Sequence, residues 1–119
     1  MADSLRPALL ALHQHLLEAQ RRQTERVSGR MSAGELLQAA AEDLRFDWLK
    51  ELSELISALD HAQAEGDAAA TEALLGRLRS MLAPPDPATP FGARYLKALQ
   101  DHPEVVLAHR DVTAALGSD

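Results

Sequence analysis

Leu5, Leu9, Leu12 and Leu16 follow one another at spacings of four, three and four residues. That spacing lays a single apolar stripe along an α-helix. It predicts a first helix from about Ser4 to Val27, with Leu10 and Leu17 widening the stripe. Val27 returns to the same face past the polar stretch at Gln20 and Gln23. Asp3 or Ser4 stands where an N-cap belongs, and Pro7 is tolerated in the first turn because its missing N–H would have no helical partner there. Arg21, Arg22 and Arg26 crowd the far end, where cations complement the helix dipole, and Ser28-Gly29-Arg30 breaks the helix.

Ser32 and Glu35 have the spacing of a capping box and open a second helix, which ends near Glu42 or Asp43. Leu36, Leu37 and Ala40 give it a short apolar face. A third helix is predicted from Leu44 to about Glu65. Trp48, Leu49, Leu52, Leu55, Ile56 and Leu59 draw its stripe, and Lys50, Glu51, Glu54 and Asp60 fill the opposite face. Gly66 and Asp67 separate it from a fourth helix, about Asp67 to Ala83, whose stripe is Leu74, Leu75, Leu78, Met81 and Leu82. Gly76 lies inside that helix, either permitting close packing or simply tolerated.

Pro84, Pro85, Pro87 and Pro90 remove donors and restrict their neighbours, so residues 84–90 read as an exposed connector rather than a docking motif. Thr89 then caps a fifth helix with Pro90 in its first position. Phe91, Tyr95 and Leu99 share one face of it, and Arg94 and Lys97 point away. His102-Pro103 interrupts the chain, and a sixth helix runs from Pro103 to about Leu116, with Gly117 as its stop.

Composition agrees with an all-α reading. Ala and Leu dominate the hydrophobic 46%, while aromatics are only 3%, so strand formers are scarce. With 119 residues, the chain fits one domain, and no internal repeat divides it. The expected fold is an up-and-down helical bundle of four longer helices plus one or two short ones over residues 1–119. Helices one, three and four should form its core, with five and six closing it.

A net charge of −6 argues against a nucleic-acid partner and against binding to an anionic membrane surface. Absence of cysteine removes disulfide, thiolate and cysteine–zinc chemistry. The stretch Pro7 to Leu12 is cut short by His13, Gln14 and His15, so no signal peptide or membrane span is expected, and the default address is the cytoplasm.

Five histidines are the main candidates for chemistry: His13, His15, His61, His102 and His109. None has an acidic residue three positions before it, as a di-metal bundle would need, so no metal is expected. His109 shares a face with Val105, Val112 and Leu116 and should be at least partly buried, hydrogen-bonded to a backbone carbonyl or a carboxylate. A pH-sensitive or ligand-facing group is the sharper alternative. Glu51 and Glu54 lie on a polar face, and Ser53 and Ser57 lack a nucleophile-elbow context. Arg21, Arg22, Arg26 and Arg30 make a basic patch that helix-end stabilisation explains better than nucleic acid does. Trp48, with Phe46 beside it, is read as core, and a core Trp48→Ala change would cost about 3–5 kcal/mol.

The segment Phe46-Asp47-Trp48-Leu49-Lys50-Glu51-Leu52-Ser53-Glu54-Leu55-Ile56 resembles the central helix of a group of short, uncharacterised bacterial helical proteins. Those pair an F-x-W-L-x-x-L-S-E-L-I segment with a later one like residues 91–109, so the resemblance touches about half the chain. It implies a bacterial, mostly helical protein, and it carries no activity and no functional residue.

The residues therefore point first to a non-enzymatic helical interaction module that self-associates, as a dimer or other homo-oligomer, or binds another protein, and needs no cofactor. The alternative is a small-molecule- or metal-binding bundle using Trp48, His13 and His109 around an interior pocket. An enzyme would require a convergent polar cluster inside the aliphatic core.

Overall fold

The computed structural model describes residues 2–117, and among these every regular element is helical. The order is α1 (Leu5–Ser28), α2 (Ala33–Glu42), a 3₁₀ segment (Leu44–Leu49), α3 (Lys50–Ala64), α4 (Ala68–Leu82), α5 (Pro90–Asp101) and α6 (Pro103–Gly117).

Local chemistry sets the boundaries. Ser32 Oγ accepts from the Glu35 N–H at 3.1 Å, and the Glu35 carboxylate accepts from the Ser32 N–H at 3.0 Å, which completes the capping box of α2. Asp67 caps α4 through the Ala70 N–H, and Gly66 before it takes φ +65°, a left-handed turn that favours glycine. Thr89 Oγ1 accepts from the Gly92 N–H at 2.9 Å and caps α5, with Pro90 following. At α1, neither Asp3 nor Ser4 caps through its side chain: Ser4 is already helical at φ −77°, ψ −14°, and its hydroxyl makes no cap bond.

The expected third helix begins differently. Asp43 accepts the Arg45 N–H at 2.9 Å with its carboxylate and the Phe46 N–H at 2.9 Å with its carbonyl. These short-range bonds wind residues 44–49 as a 3₁₀ turn before α3 starts at Lys50. The tighter winding sends Phe46 and Leu49 inward and leaves Trp48 half-buried at the edge of the core.

The core takes Leu5, Leu9, Leu12 and Leu16 from α1, and Leu52, Leu55, Ile56 and Leu59 from α3. Leu75, Leu78 and Leu82 come from α4, Phe91 and Tyr95 from α5, and Val105, Val112 and Leu116 from α6. α1 packs most extensively against α6, and α3 against α4. The last helix is thus the main partner of the first rather than a closing element. Its N-terminus reaches the later part of α1, where Arg22 and Glu104 pair at 2.8 Å.

Three predicted apolar positions are not covered. Val27 is 84% exposed because the last turn of α1 runs past the packed layer. Leu37 is 75% exposed, since α2 meets the body only through the edge carrying Leu36, Ala39 and Ala40. Leu10 lies 42% exposed beside the stripe rather than in it. Gly76 is simply tolerated: a Cβ added there would meet nothing within 4 Å.

No helix among the described residues is long and apolar enough to cross a membrane.

Candidate functional site

The polar stretch in the middle of α1 is where the molecule departs from an aliphatic bundle. Past Leu16 the inward face of α1 carries Ala19, Gln20 and Thr24, and both polar side chains are buried, at 3% and 2% exposure. A buried amide is costly unless its hydrogen bonds are made. Here they are. Gln20 Nε2 donates to Thr24 Oγ1 at 3.0 Å, and Gln20 Oε1 accepts from Trp48 Nε1 at 2.9 Å. The indole is thereby held in one orientation on the flank of α1.

Trp48 forms part of the wall of an open cleft of about 690 Å³ between α1 and α5. α1 contributes Ala19, Arg22, Gln23 and Arg26, which are neighbours on one helical face. α5 contributes Arg94, Lys97, Ala98 and Asp101 with the same spacing, and Gln20, Gln100 and His102 complete the lining. The two alanines keep the space between the helices open, and the long cationic side chains surround it. Four of the chain's twelve Lys and Arg residues line this cleft, against one of its eighteen Asp and Glu residues. The cleft is thus +3 in a chain of net −6, and the rest of the chain carries nine net negative charges.

Its cations are not equivalent. Arg22 is paired with Glu104 at 2.8 Å, and Lys97 with Asp101 at 3.0 Å. Arg26 and Arg94 make no hydrogen bond or ion pair to any described residue. The Glu104 carboxyl is held below its ordinary range, first by its own backbone N–H at the start of α6 and then by the Arg22 guanidinium. His102 Nδ1 lies 3.8 Å from the same carboxylate.

The expected basic patch at the end of α1 therefore divides. Arg21 does serve the helix end: it donates to the Met31 carbonyl at 2.8 Å and faces Glu25 at 3.5 Å, while Glu25 accepts from the Met31 N–H at 2.7 Å. Arg22 and Arg26 line the cleft, and Arg26 does so from the last turn of α1, where a cation complements the helix dipole.

Of the three predicted pocket residues, only Trp48 lines this cleft. His13 is half-buried on α1, and burial pushes its imidazole below the ordinary pKa. His109 is half-buried on α6, and its partner is neither a carbonyl nor a carboxylate: Nδ1 lies 2.6 Å from the Tyr95 hydroxyl. Burial lowers the pKa of His109 and raises that of Tyr95. Ring contacts still connect His109 to the cleft. Trp48 lies 5.9 Å from Phe91, Phe91 stacks on Tyr95 at 5.3 Å, and Tyr95 tilts against His109 at 5.5 Å.

Among the described residues, no group of three or more His, Cys, Asp or Glu side chains is placed to hold a metal ion. Comparison with protein-family models, with curated proteins and with solved structures gave no match.

Proposed function

We propose that this protein is a helical binding module whose working surface is the cleft between α1 and α5, with a small molecule as its ligand. The observation that carries this reading is the buried Gln20 amide, which spends one bond on Thr24 and one on Trp48 to fix the indole beside the cleft. Such an arrangement is costly as mere packing, because an aliphatic residue at position 20 would fill the same face without needing partners. As the wall of a binding site it supplies a flat, rigid apolar surface, with the polar and charged groups that make up most of the lining converging on it. The volume of about 690 Å³ also suits a small molecule. The residues around it, guanidinium, ammonium and carboxamide groups, bind and orient by charge and hydrogen bonding.

Trp48 is the chain's one tryptophan, so its emission reports directly on the cleft. A panel of small molecules screened by thermal shift, with Trp48 emission as second readout, should yield ligands that raise the melting temperature and change the emission together. A panel in which every stabilising compound leaves Trp48 unchanged would place binding elsewhere and defeat the proposal.

A second reading, self-association of the bundle, is favoured by Val27, Leu37 and Leu44, which stand 84%, 75% and 81% exposed. They lie at the end of α1, on α2 and at the start of the 3₁₀ segment. Light scattering across a concentration series tests it: a mass that stays at one chain would remove it.

A further inference from the structure

The charge distribution carries the cleft reading one step further. Arg26 and Arg94 project from opposite walls of one cleft, on helices far apart in sequence, and neither is neutralised by a described residue. An isolated surface arginine is unremarkable. Two unpaired ones facing one space in an acidic chain leave positive charge that no described residue pairs, beside the Arg22–Glu104 and Lys97–Asp101 ion pairs. Guanidinium groups match oxyanions through paired N–H donors, and Trp48 adds a flat apolar surface beside them.

Resting on the cleft being the binding surface, we infer that its ligand is a small molecule joining a compact dianion, phosphate or paired carboxylates, to a flat apolar body. Arg26 and Arg94 hold the oxyanion from the two walls, and Trp48 packs against the body. Arg22 and Lys97 are shared with Glu104 and Asp101 and strengthen the field without being free to enclose the ligand. The size class follows from the same geometry. The cleft lining holds +3 while the rest of the chain carries nine net negative charges, so a long polyanion extending beyond the cleft would on balance meet like charge.

The test uses the full chain and four probes: phenyl phosphate, phthalate, inorganic phosphate and benzamide, each titrated by calorimetry and by Trp48 emission. Phenyl phosphate or phthalate should bind at least about tenfold more tightly than either inorganic phosphate or benzamide, because only they combine both features. Which of the two wins distinguishes a phosphate from a dicarboxylate ligand. Added salt should weaken that binding. The double variant Arg26→Ala/Arg94→Ala should weaken it by about tenfold or more at an unchanged melting temperature, since both side chains are exposed and unpaired. If benzamide binds as well as phenyl phosphate and the double variant matches the parent, the anion assignment fails while the cleft remains a binding site. If no probe or panel compound perturbs Trp48, both fail together. Tighter binding of a uridine decanucleotide than of every small anion would overturn the size class.

Discussion

The Tyr95 hydroxyl lies 2.6 Å from Nδ1 of His109 and joins α5 to α6 between two otherwise apolar faces. Burial lowers the histidine pKa and raises the tyrosine's, so both groups are neutral at pH 7. With the imidazole proton on Nε2, the phenol donates to an unprotonated Nδ1, and that tautomer is the assignment Tyr95→Phe tests. Tyr95→Phe keeps the ring and removes the donor. It should cost about 1 kcal/mol in chemical denaturation, the usual net worth of one such bond. It should also raise the His109 pKa, because the lost bond favoured the neutral imidazole. A histidine titration followed by NMR that leaves His109 where it was would contradict this assignment of donor and acceptor.

The same burial makes stability depend on pH. His13 and His109 both titrate below their ordinary 6.5 in the folded chain, in each case because burial penalises the charged form. The unfolded chain therefore binds more protons than the folded one just below that pH. Stability from these two groups is complete above about pH 6.5 and falls as the pH drops through their lowered values. Urea midpoints should be lower at about pH 5 than at about pH 7.5, and His13→Leu should shrink the difference. A flat profile across that interval would show that neither imidazole is desolvated in solution.

Much of the frame was legible because aliphatic spacing directly encodes which side of a helix is covered. The run Leu5, Leu9, Leu12, Leu16 and the run Leu52, Leu55, Ile56, Leu59 are buried throughout. Ser32, Asp67 and Thr89 cap their helices through local bonds that any sequence reading can anticipate. What failed did so for non-local reasons. Val27 keeps the right phase but has no neighbour over it, and phase alone does not reveal where a partner helix ends. Gln20 and Gln23 read as a polar stretch between Leu16 and Val27, yet Gln20 bonds Thr24 and Trp48, so the face continues inward through polar residues. The cleft was least visible. Arg22 and Arg26 resemble helix-end cations, and Arg94 and Lys97 resemble a solvated face, until the fold sets the two faces opposite each other. One signal was present in the sequence: two i, i+3, i+4, i+7 sets, each with cations at two positions and an alanine at a third.

Two glycines inside helices should respond oppositely to alanine. At Gly92 an added Cβ would collide with the Asp86 carbonyl and press on Thr89 Oγ1 at 2.8 Å, because the connector folds back tightly over the start of α5. Gly92→Ala should cost about 1–3 kcal/mol, as overpacking does. At Gly76 a Cβ meets nothing within 4 Å, so Gly76→Ala should gain up to about 1 kcal/mol of helix propensity. Both are read from denaturant midpoints. Equal effects of the two would mean that the connector does not hold its position over α5.

Trp48 separates packing from polar satisfaction. Its ring borders Phe91 and the core on one side and the open cleft on the other, while its Nε1 donates to the buried Gln20 carbonyl at 2.9 Å. A fully enclosed tryptophan would cost about 3–5 kcal/mol on truncation to alanine. Half-buried Trp48 should fall at or below the lower end of that range. Trp48→Phe retains most of the apolar contact but leaves Gln20 Oε1 without its donor, which should cost about 1–3 kcal/mol. Pairing that change with Gln20→Leu removes both ends of the bond and should recover much of the loss, since an aliphatic pair needs no partner. If the double variant is instead as unstable as the two single changes added together, the indole and the amide are not coupled, and the fixed orientation of Trp48 beside the cleft loses its basis.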